Sequence, residues 1–476
     1  MITMRNFFKI GGLALACLVM TPVTLMASDK TSKKASNDYV SQRPPLAERN
    51  FVSPAIEKAI KSVKKNIKDP KLAWMFENCF PNTLDTTVEF EMVDGKPDTF
   101  VITGDIHAMW LRDSSAQVYP YLKFVKEDGK LKLLIEGVIR RQTSQIIADP
   151  YANAFNKEAT GSKWQETDVT PYFPDEVYER KWEIDSLCYP IRLAYAYWKA
   201  TGDSSVFDAL WEKAAQAILT TFKEQQRKDG HGPYSFYRMT DRQGDTLLNG
   251  GLGSPLNPVG LICSSFRPSD DATLLGFLIP SNLFAVESLN QMAEILSTVR
   301  NNQAMADECT ALAKEVYQAV QDYGIVEHPK YGKVYAYEVD GFGNHICMDD
   351  ANVPSLLALP YLCSFIPKDD PIYLQTRKLV WGDSNPYFFK GSVAEGIGGP
   401  HIGFDFIWPM SIIMKAQTST SQTEIDECIE VLRNTDGGTG FMHESFNIND
   451  ANNFTRTWFA WANTLFGELI YEQYKK

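Results

Sequence analysis

The chain is short of the residues on which several enzyme chemistries depend. It has six histidines in 476 residues and no HExxH string, which argues against a thermolysin-like zinc site. Eight cysteines are present, Cys17, Cys79, Cys188, Cys263, Cys309, Cys347, Cys363 and Cys428, with no CxxC pair and mostly apolar neighbours. They read as buried free thiols rather than a disulfide framework. No GxGxxG follows a strand, and P-loop and GxSxG strings are absent, which disfavours dinucleotide, nucleoside-triphosphate and α/β-hydrolase chemistry. Positive charge is scarce too: 47 Lys and Arg face 59 Asp and Glu, a net charge of −12. A nucleic-acid partner needs basic surface and is not expected. Past the N-terminus no apolar run approaches the ~20 residues of a membrane span, so the mature chain is expected to have none.

What is present fits a large soluble domain: 44% hydrophobic and 22% charged residues. Arg5 and Lys9 precede a mostly apolar stretch, Ile10 to Met26, and small residues follow at Ala27 and Ser28. This reads as a signal peptide over residues 1–27, hence an exported and expectedly periplasmic protein. Lipoprotein anchoring at Cys17 is the lesser reading, because Ala14-Leu15-Ala16 puts the expected Leu one residue out of place. Residues 28–50 are polar, rich in Lys and Ser, and carry Pro44 and Pro45; they read as a linker. Residues 51–476 contain no further linker and are expected to form one catalytic domain.

Ser53 and Pro54 open a helix with Ile56, Ile60, Val63 and Ile67 on one face, ended by Asp69-Pro70. Residues 86–103 alternate around Asp94-Gly95 and predict a β-hairpin. After that the helical period dominates, as in Leu187, Ile191, Ala194, Tyr195 and Trp198. Further helices are predicted near 302–322, 352–364, 370–380, 402–417, 421–433 and 454–473, and a second hairpin at 333–346. About twelve helices with short β-hairpins in the loops predict an all-α toroid of helical hairpins. Loops 149–180 and 228–272 are too long for connectors and are expected to form a functional rim.

Candidate chemistry lies just before several of these helices. In FMHESFN, Glu444 sits between His443 and Ser445 on a loop, where an enzyme would hold a general base. In KWEIDSLCYPI, Asp185 is a second carboxylate, next but one to Glu183. Two separated carboxylates are the minimal apparatus for glycoside hydrolysis, although on local sequence alone a helix cap is the preferred reading of Asp185. TGDIHAMWLRDSSAQ offers Asp105, Arg112 and Asp113 for hydroxyls and Trp110 for a sugar face, or else a structural ion pair and a cap. Asn153 in PYANAF suits either a sugar or a turn. SSFRPSDDA brings Arg267, Asp270 and Asp271; MDDANVPS brings Asp349, Asp350 and Asn352. Acidic pairs at helix starts are usually caps, but five such clusters point to one shared loop face. DDAN lacks calcium-loop spacing, so no metal is expected. Trp408, after Gly398-Gly399-Pro400, suits a stacking platform or the core, with the core the preferred reading.

These strings, with DPKLAWMFENCFPNTLDTTV, YANAFN and GGPHIGFDFIWPM, resemble glycoside hydrolase family 125, the exo-acting α-1,6-mannosidases, over most of 53–476. The resemblance implies an (α/α)6 fold and metal- and cofactor-independent hydrolysis, with inversion, of a mannose-containing oligosaccharide. It implies Asp185 of DSLCYP as general acid and Glu444 of HESF as general base, about 6.5–9.5 Å apart. Arg112, Asp113, Asn153, Arg267, Asp349 and Asn352 are its implied sugar-binding residues. Their neighbours Asp105, Trp110 and His443 complete the expected set. The competing readings are another helical-toroid α-glycosidase, either an α-glucosidase or a calcium-dependent α-mannosidase, and a periplasmic glycan-binding protein. The pair Asp185 and Glu444 argues against the last.

Overall fold

A computed structural model describes residues 39–475. The predicted signal peptide and residues 28–38 of the predicted linker lie outside the described residues. Six helices form an inner ring: Leu111–Val118, Ile184–Thr201, Ile279–Thr298, Leu359–Leu362, Pro409–Gln417 and Ala460–Tyr474. Six more stand outside them: Pro70–Cys79, Gly129–Ala148, Ala209–Gln225, Gln303–Ala319, Pro371–Val380 and Gln422–Asn434. The last inner helix packs against the first, so the ring closes on itself. This is the (α/α)6 barrel.

Burial separates the rings. All eight residues of Leu111–Val118 are buried, whereas Gln422–Asn434 buries only Cys428, Ile429 and Leu432, as an amphipathic helix facing water should. Their N-termini differ as well. Every outer helix starts with a side-chain cap: Asp69, Asp128, Asp208, Asn302, Asp370 and Ser421 each accept from a backbone N–H one turn in. No inner helix has such a cap; each follows an apolar or bulky residue or Glu183. Four of the six starts are reached through a short strand or bridge, at Met109–Trp110, Phe277–Leu278, Phe406–Ile407 and Phe459.

The hairpin at Asp94-Gly95 is as predicted. Val88–Val93 pairs with Lys96–Val101, and both turn residues take positive φ, at 49° and 76°. Four other elements differ from expectation. The helix predicted near 402–417 starts only at Pro409, because Phe406–Ile407 is a strand. The predicted hairpin at 333–346 is split: Gly332–Tyr335 pairs backwards with Ile325–His328, and only Glu338–Val339 pairs with His345–Ile346. The predicted helix at 352–364 shrinks to Leu359–Leu362, because Pro354 interrupts its start and Asp349 takes the backbone N–H groups of Leu356 and Leu357. The helix predicted from 454 starts at Ala460, because Asp450–Thr455 is a strand paired with Ser445–Asn447. Nor do residues 39–50 behave as a loose linker. Arg43 is buried against Asp85 at 2.7 Å and Glu57, and the Trp74 indole donates to the Val40 carbonyl at 2.6 Å. All seven described cysteines are free, and six are buried.

Candidate active site

The uncapped ends of the inner helices and the strands that lead into them surround a cleft of about 380 Å³, within the usual range for small-ligand sites. A larger groove of about 480 Å³ lies on the outer wall, between the first hairpin and Gly129–Ala148. The smaller cleft collects the polar chemistry. Four tryptophans line it, Trp110, Trp164, Trp408 and Trp461, and the indole N–H of Trp110, Trp408 and Trp461 is buried without a protein partner.

One wall is built by the sheet Phe406–Ile407, Ser445–Asn447, Asp450–Thr455. The sheet brings Glu444, just before its central strand, opposite Thr455 and Arg456. Glu444 Oε2 accepts from Thr455 Oγ1 at 2.9 Å, and Arg456 Nη1 stands 3.5 Å from Oε1. Arg456 also donates through Nε to Asp105 at 2.8 Å and through Nη2 to Thr103 Oγ1 at 3.3 Å. Its guanidinium lies over the Phe459 ring, 4.8 Å from the centroid. Gly104 permits this closure: its φ is +134°, and a Cβ there would stand 2.4 Å from the Trp458 carbonyl oxygen. Behind Glu444, His443 stacks on Phe454 at 3.6 Å and meets Thr439 and the Arg456 carbonyl. Burial pushes its imidazole below the ordinary histidine range.

The opposite wall is centred on Arg112. Its Nη1 reaches Glu183 at 2.6 Å and Asp185 at 3.4 Å, its Nη2 reaches Asp270 at 3.3 Å, and its Nε lies 3.4 Å from Asp113. Four carboxylates thus share one guanidinium, an imbalance that a buried site relieves by keeping protons. Burial raises Asp113 and Asp185 to about 6 each, against the pull of Arg112. Burial likewise holds Glu183 far above the usual carboxylate range, helped by the charges of Asp270 and Asp185. Asp270 goes the other way: although burial opposes its charge, Arg112 and Lys181 hold it down to about 2. Lys181 donates to the Asp270 carbonyl at 2.7 Å and pairs with Asp245 at 3.0 Å. Asp270 sits at φ +65°, a left-handed turn that aims it into the cleft.

The chain matches the family model of metal-independent α-mannosidases, glycoside hydrolase family 125, over residues 69–471. It belongs to glycoside hydrolase family 125. The chain is therefore a glycoside hydrolase, an α-mannosidase of that family. A metal-independent α-mannosidase from Streptococcus pneumoniae, solved in a non-productive complex with α-1,6-mannobiose, is 41% identical with a TM-score of 0.85. The match covers 90% of this chain and 99% of that one. The meiotically up-regulated gene 157 protein of Schizosaccharomyces pombe is 45% identical over 446 residues, 90% of this chain and 87% of that protein. A glucoamylase from Saccharomycopsis fibuligera shares the fold alone, at 11% identity and a TM-score of 0.50, covering 90% of this chain and 98% of that one.

The predicted residues of this family member divide between the cleft and its supports. Trp110, Arg112, Asp113, Asn352 and Glu444 line the cleft. Asp185 does not. It is fully buried in the first turn of its helix, behind Arg112, and neither oxygen opens to the cavity. Asp105 stands at the rim, joined to the site through Arg456. Asn153 is buried in the wall, accepting from Lys181 N at 3.0 Å and donating to Glu179 at 3.2 Å. Arg267 turns away from the cleft to pair with Glu338 at 2.6 Å. Asp349 accepts from Leu356 N at 2.8 Å and Leu357 N at 2.9 Å, and so holds a turn. With His443 these three support the site without lining it. Sequence reasoning missed Arg456, His401 and Trp461 and took Trp408 for core, although all four line the cleft. It also chose the arginine of SFRPSDDA where the aspartate faces the cavity. Among the described residues no cluster of His, Cys, Asp or Glu is arranged to hold a metal ion.

Proposed function

We propose that the enzyme is an exo-acting α-1,6-mannosidase that inverts the anomeric centre, with Glu444 as general base and Asp270 as general acid. One observation carries this reading. Both carboxylates line a single cleft at one end of the barrel, Glu444 beside Arg456 and Asp270 beside Arg112. Asp185, the acid implied by the sequence resemblance, has no surface from which to reach a glycosidic oxygen. The unpartnered indole donors of Trp110, Trp408 and Trp461 suit a polyol, which brings several hydroxyls to a dry wall. A barrel interior filled by inner-helix side chains closes the floor of the cleft, which favours a chain end over a sugar threaded through the ring. The α-1,6 linkage is supported by the mannobiose bound to the S. pneumoniae relative.

In the reaction, Asp270 gives a proton to the glycosidic oxygen as the bond to C1 breaks. Glu444 takes a proton from a water whose oxygen bonds to C1 from the other face. The transition state is oxocarbenium-like, and the carboxylates that surround Arg112 favour its positive charge. The test is proton NMR of purified enzyme with α-1,6-mannobiose beside the 1,2- and 1,3-linked isomers. Early β-mannose from the 1,6 isomer alone is expected. Early α-mannose would overturn inversion, and equal release from all three isomers would overturn the linkage.

A further inference from the structure

The proton that the general acid delivers needs a place to be kept, and the resting site gives Asp270 little hold on one. Asp270 Oδ1 faces Arg112 at 3.3 Å and the Asn153 amide at 3.5 Å, both donors to a charged carboxylate. Glu183, directly behind it, is differently placed. Its Oε2 accepts from Arg112 at 2.6 Å and from Ser186 Oγ at 2.9 Å, while its Oε1 is buried without a protein donor. Glu183 has no exposed surface, so it cannot touch substrate. It is also not a helix cap, although it occupies that position. A buried carboxylate oxygen with no donor, beside a second carboxylate, is the arrangement in which two acids share one proton.

We propose that Glu183 is the positioning residue that holds this proton for Asp270 and passes it forward during catalysis. The proposal rests on the reading of Asp270 as general acid. In the step, the Glu183 O–H bond breaks as an Asp270 O–H bond forms, and Asp270 gives the same charge equivalent to the departing glycosidic oxygen. Glu183 is left as a carboxylate against Arg112 and Ser186. The proton that Glu444 removes from water goes to solvent, and solvent restores one to the Glu183–Asp270 pair, so the cycle consumes only water. The groups that bear on Glu183 are few. Arg112 faces it from Leu111–Val118, Asp270 from the 264–272 loop, Asp185 and Ser186 from its own helix, and Tyr234 from the long rim loop. Burial and the two aspartates favour its neutral form, and Arg112 opposes it.

The experiment compares Glu183→Gln with wild type on two substrates, α-1,6-mannobiose and α-mannosyl fluoride, whose leaving group needs little protonation. Glutamine keeps the contacts to Arg112 and Ser186 and its amide donates to Asp270, but it holds no transferable proton. On mannobiose, kcat should fall about 100-fold, as expected for loss of general acid assistance, with KM changed less than about threefold. The alkaline limb of the pH profile should move to lower pH, because the amide favours the Asp270 carboxylate. On the fluoride, kcat should fall less than tenfold, and Glu183→Asp should recover part of the loss on mannobiose. Equal losses on both substrates would mark a structural role and overturn the proposal; so would normal mannobiose turnover with an unmoved alkaline limb. Should the Gln variant not fold, the alkaline limb of Glu183→Asp decides in the same way. Asp270→Asn separates the two levels. If it hydrolyses mannobiose normally, the acid assignment falls and this proposal with it; if it is inactive while Glu183→Gln is normal, only the role of Glu183 falls.

Discussion

Arg456 is the residue through which the wall of the base is held, and replacing it by methionine measures that hold. Methionine keeps an unbranched apolar stem against Phe459 and removes the charge. Three contacts vanish: Asp105, Thr103 and Glu444. The Asp105 partner is 40% exposed, so that ion pair contributes little to stability. The Glu444 contact matters more, because Glu444 is only 8% exposed and then keeps Thr455 alone as a donor. A hydrogen bond to a charged group is worth about 1.5–3 kcal/mol. At 3.5 Å this one belongs at the lower end, so kcat on mannobiose should fall about tenfold. The thermal midpoint should fall by only about 1 °C for each kcal/mol of folding stability lost in a domain of this size. Steady-state kinetics and a calorimetric melt on the same preparation provide both numbers. Adding Thr455→Val should cost more than the sum of the single changes, because either donor alone still fixes one oxygen of the carboxylate, whereas losing both leaves it without a donor. A kcat within twofold of wild type for Arg456→Met would refute the claim that Arg456 holds the base.

Glu444→Gln should lower turnover of mannobiose by about 10²–10⁴-fold while leaving mannose binding, read by calorimetry, within a few-fold; loss of binding would show a sugar-holding role instead. Asp270→Asn should inactivate the enzyme on mannobiose more severely than Asp185→Asn, and the opposite order in a side-by-side kcat measurement would restore Asp185 as the acid. The third expectation concerns pH. Asp113 is raised from 3.8 to about 6 by burial, so the folded state holds its proton where the unfolded chain has lost it. Its contribution is present below the unfolded value and is lost as pH rises from about 4 to 6. Asp113→Asn should therefore gain on wild type in melting temperature across that window, by up to about 3 kcal/mol of relative stability, and a constant gap would refute it.

The helical toroid was legible because its information is local: apolar stripes at helical period and capping side chains for the outer helices. The cleft was legible as a set of strings but not residue by residue. In SFRPSDDA, a left-handed turn at Asp270 sends Arg267 back to Glu338 and Asp270 forward. Nothing in the order of letters tells which of the two faces the cavity. Glu183 and Asp185 stand two residues apart at a helix start, and only the position of Arg112, 71 residues from Glu183, shows that both are buried. Arg456 falls inside the helix predicted at 454–473; the strand Asp450–Thr455 instead returns it to Glu444. His401 lies in a glycine-rich loop whose reach towards Asp271 is a long-range fact.

The backbone bridge between Gly104 and Phe459, with Ala460 N donating to the Thr103 carbonyl at 3.0 Å, ties the beginning of the barrel to its end. On a ribosome those two segments are made hundreds of residues apart. The base Glu444, its Arg456 and Trp461 all lie beside the second of those segments. The wall of the base therefore hangs on a closing contact made by its own neighbours in the chain, Phe459 and Ala460. Loosening that closure would reach Glu444 through Arg456 and Thr103 without touching any helix of the ring.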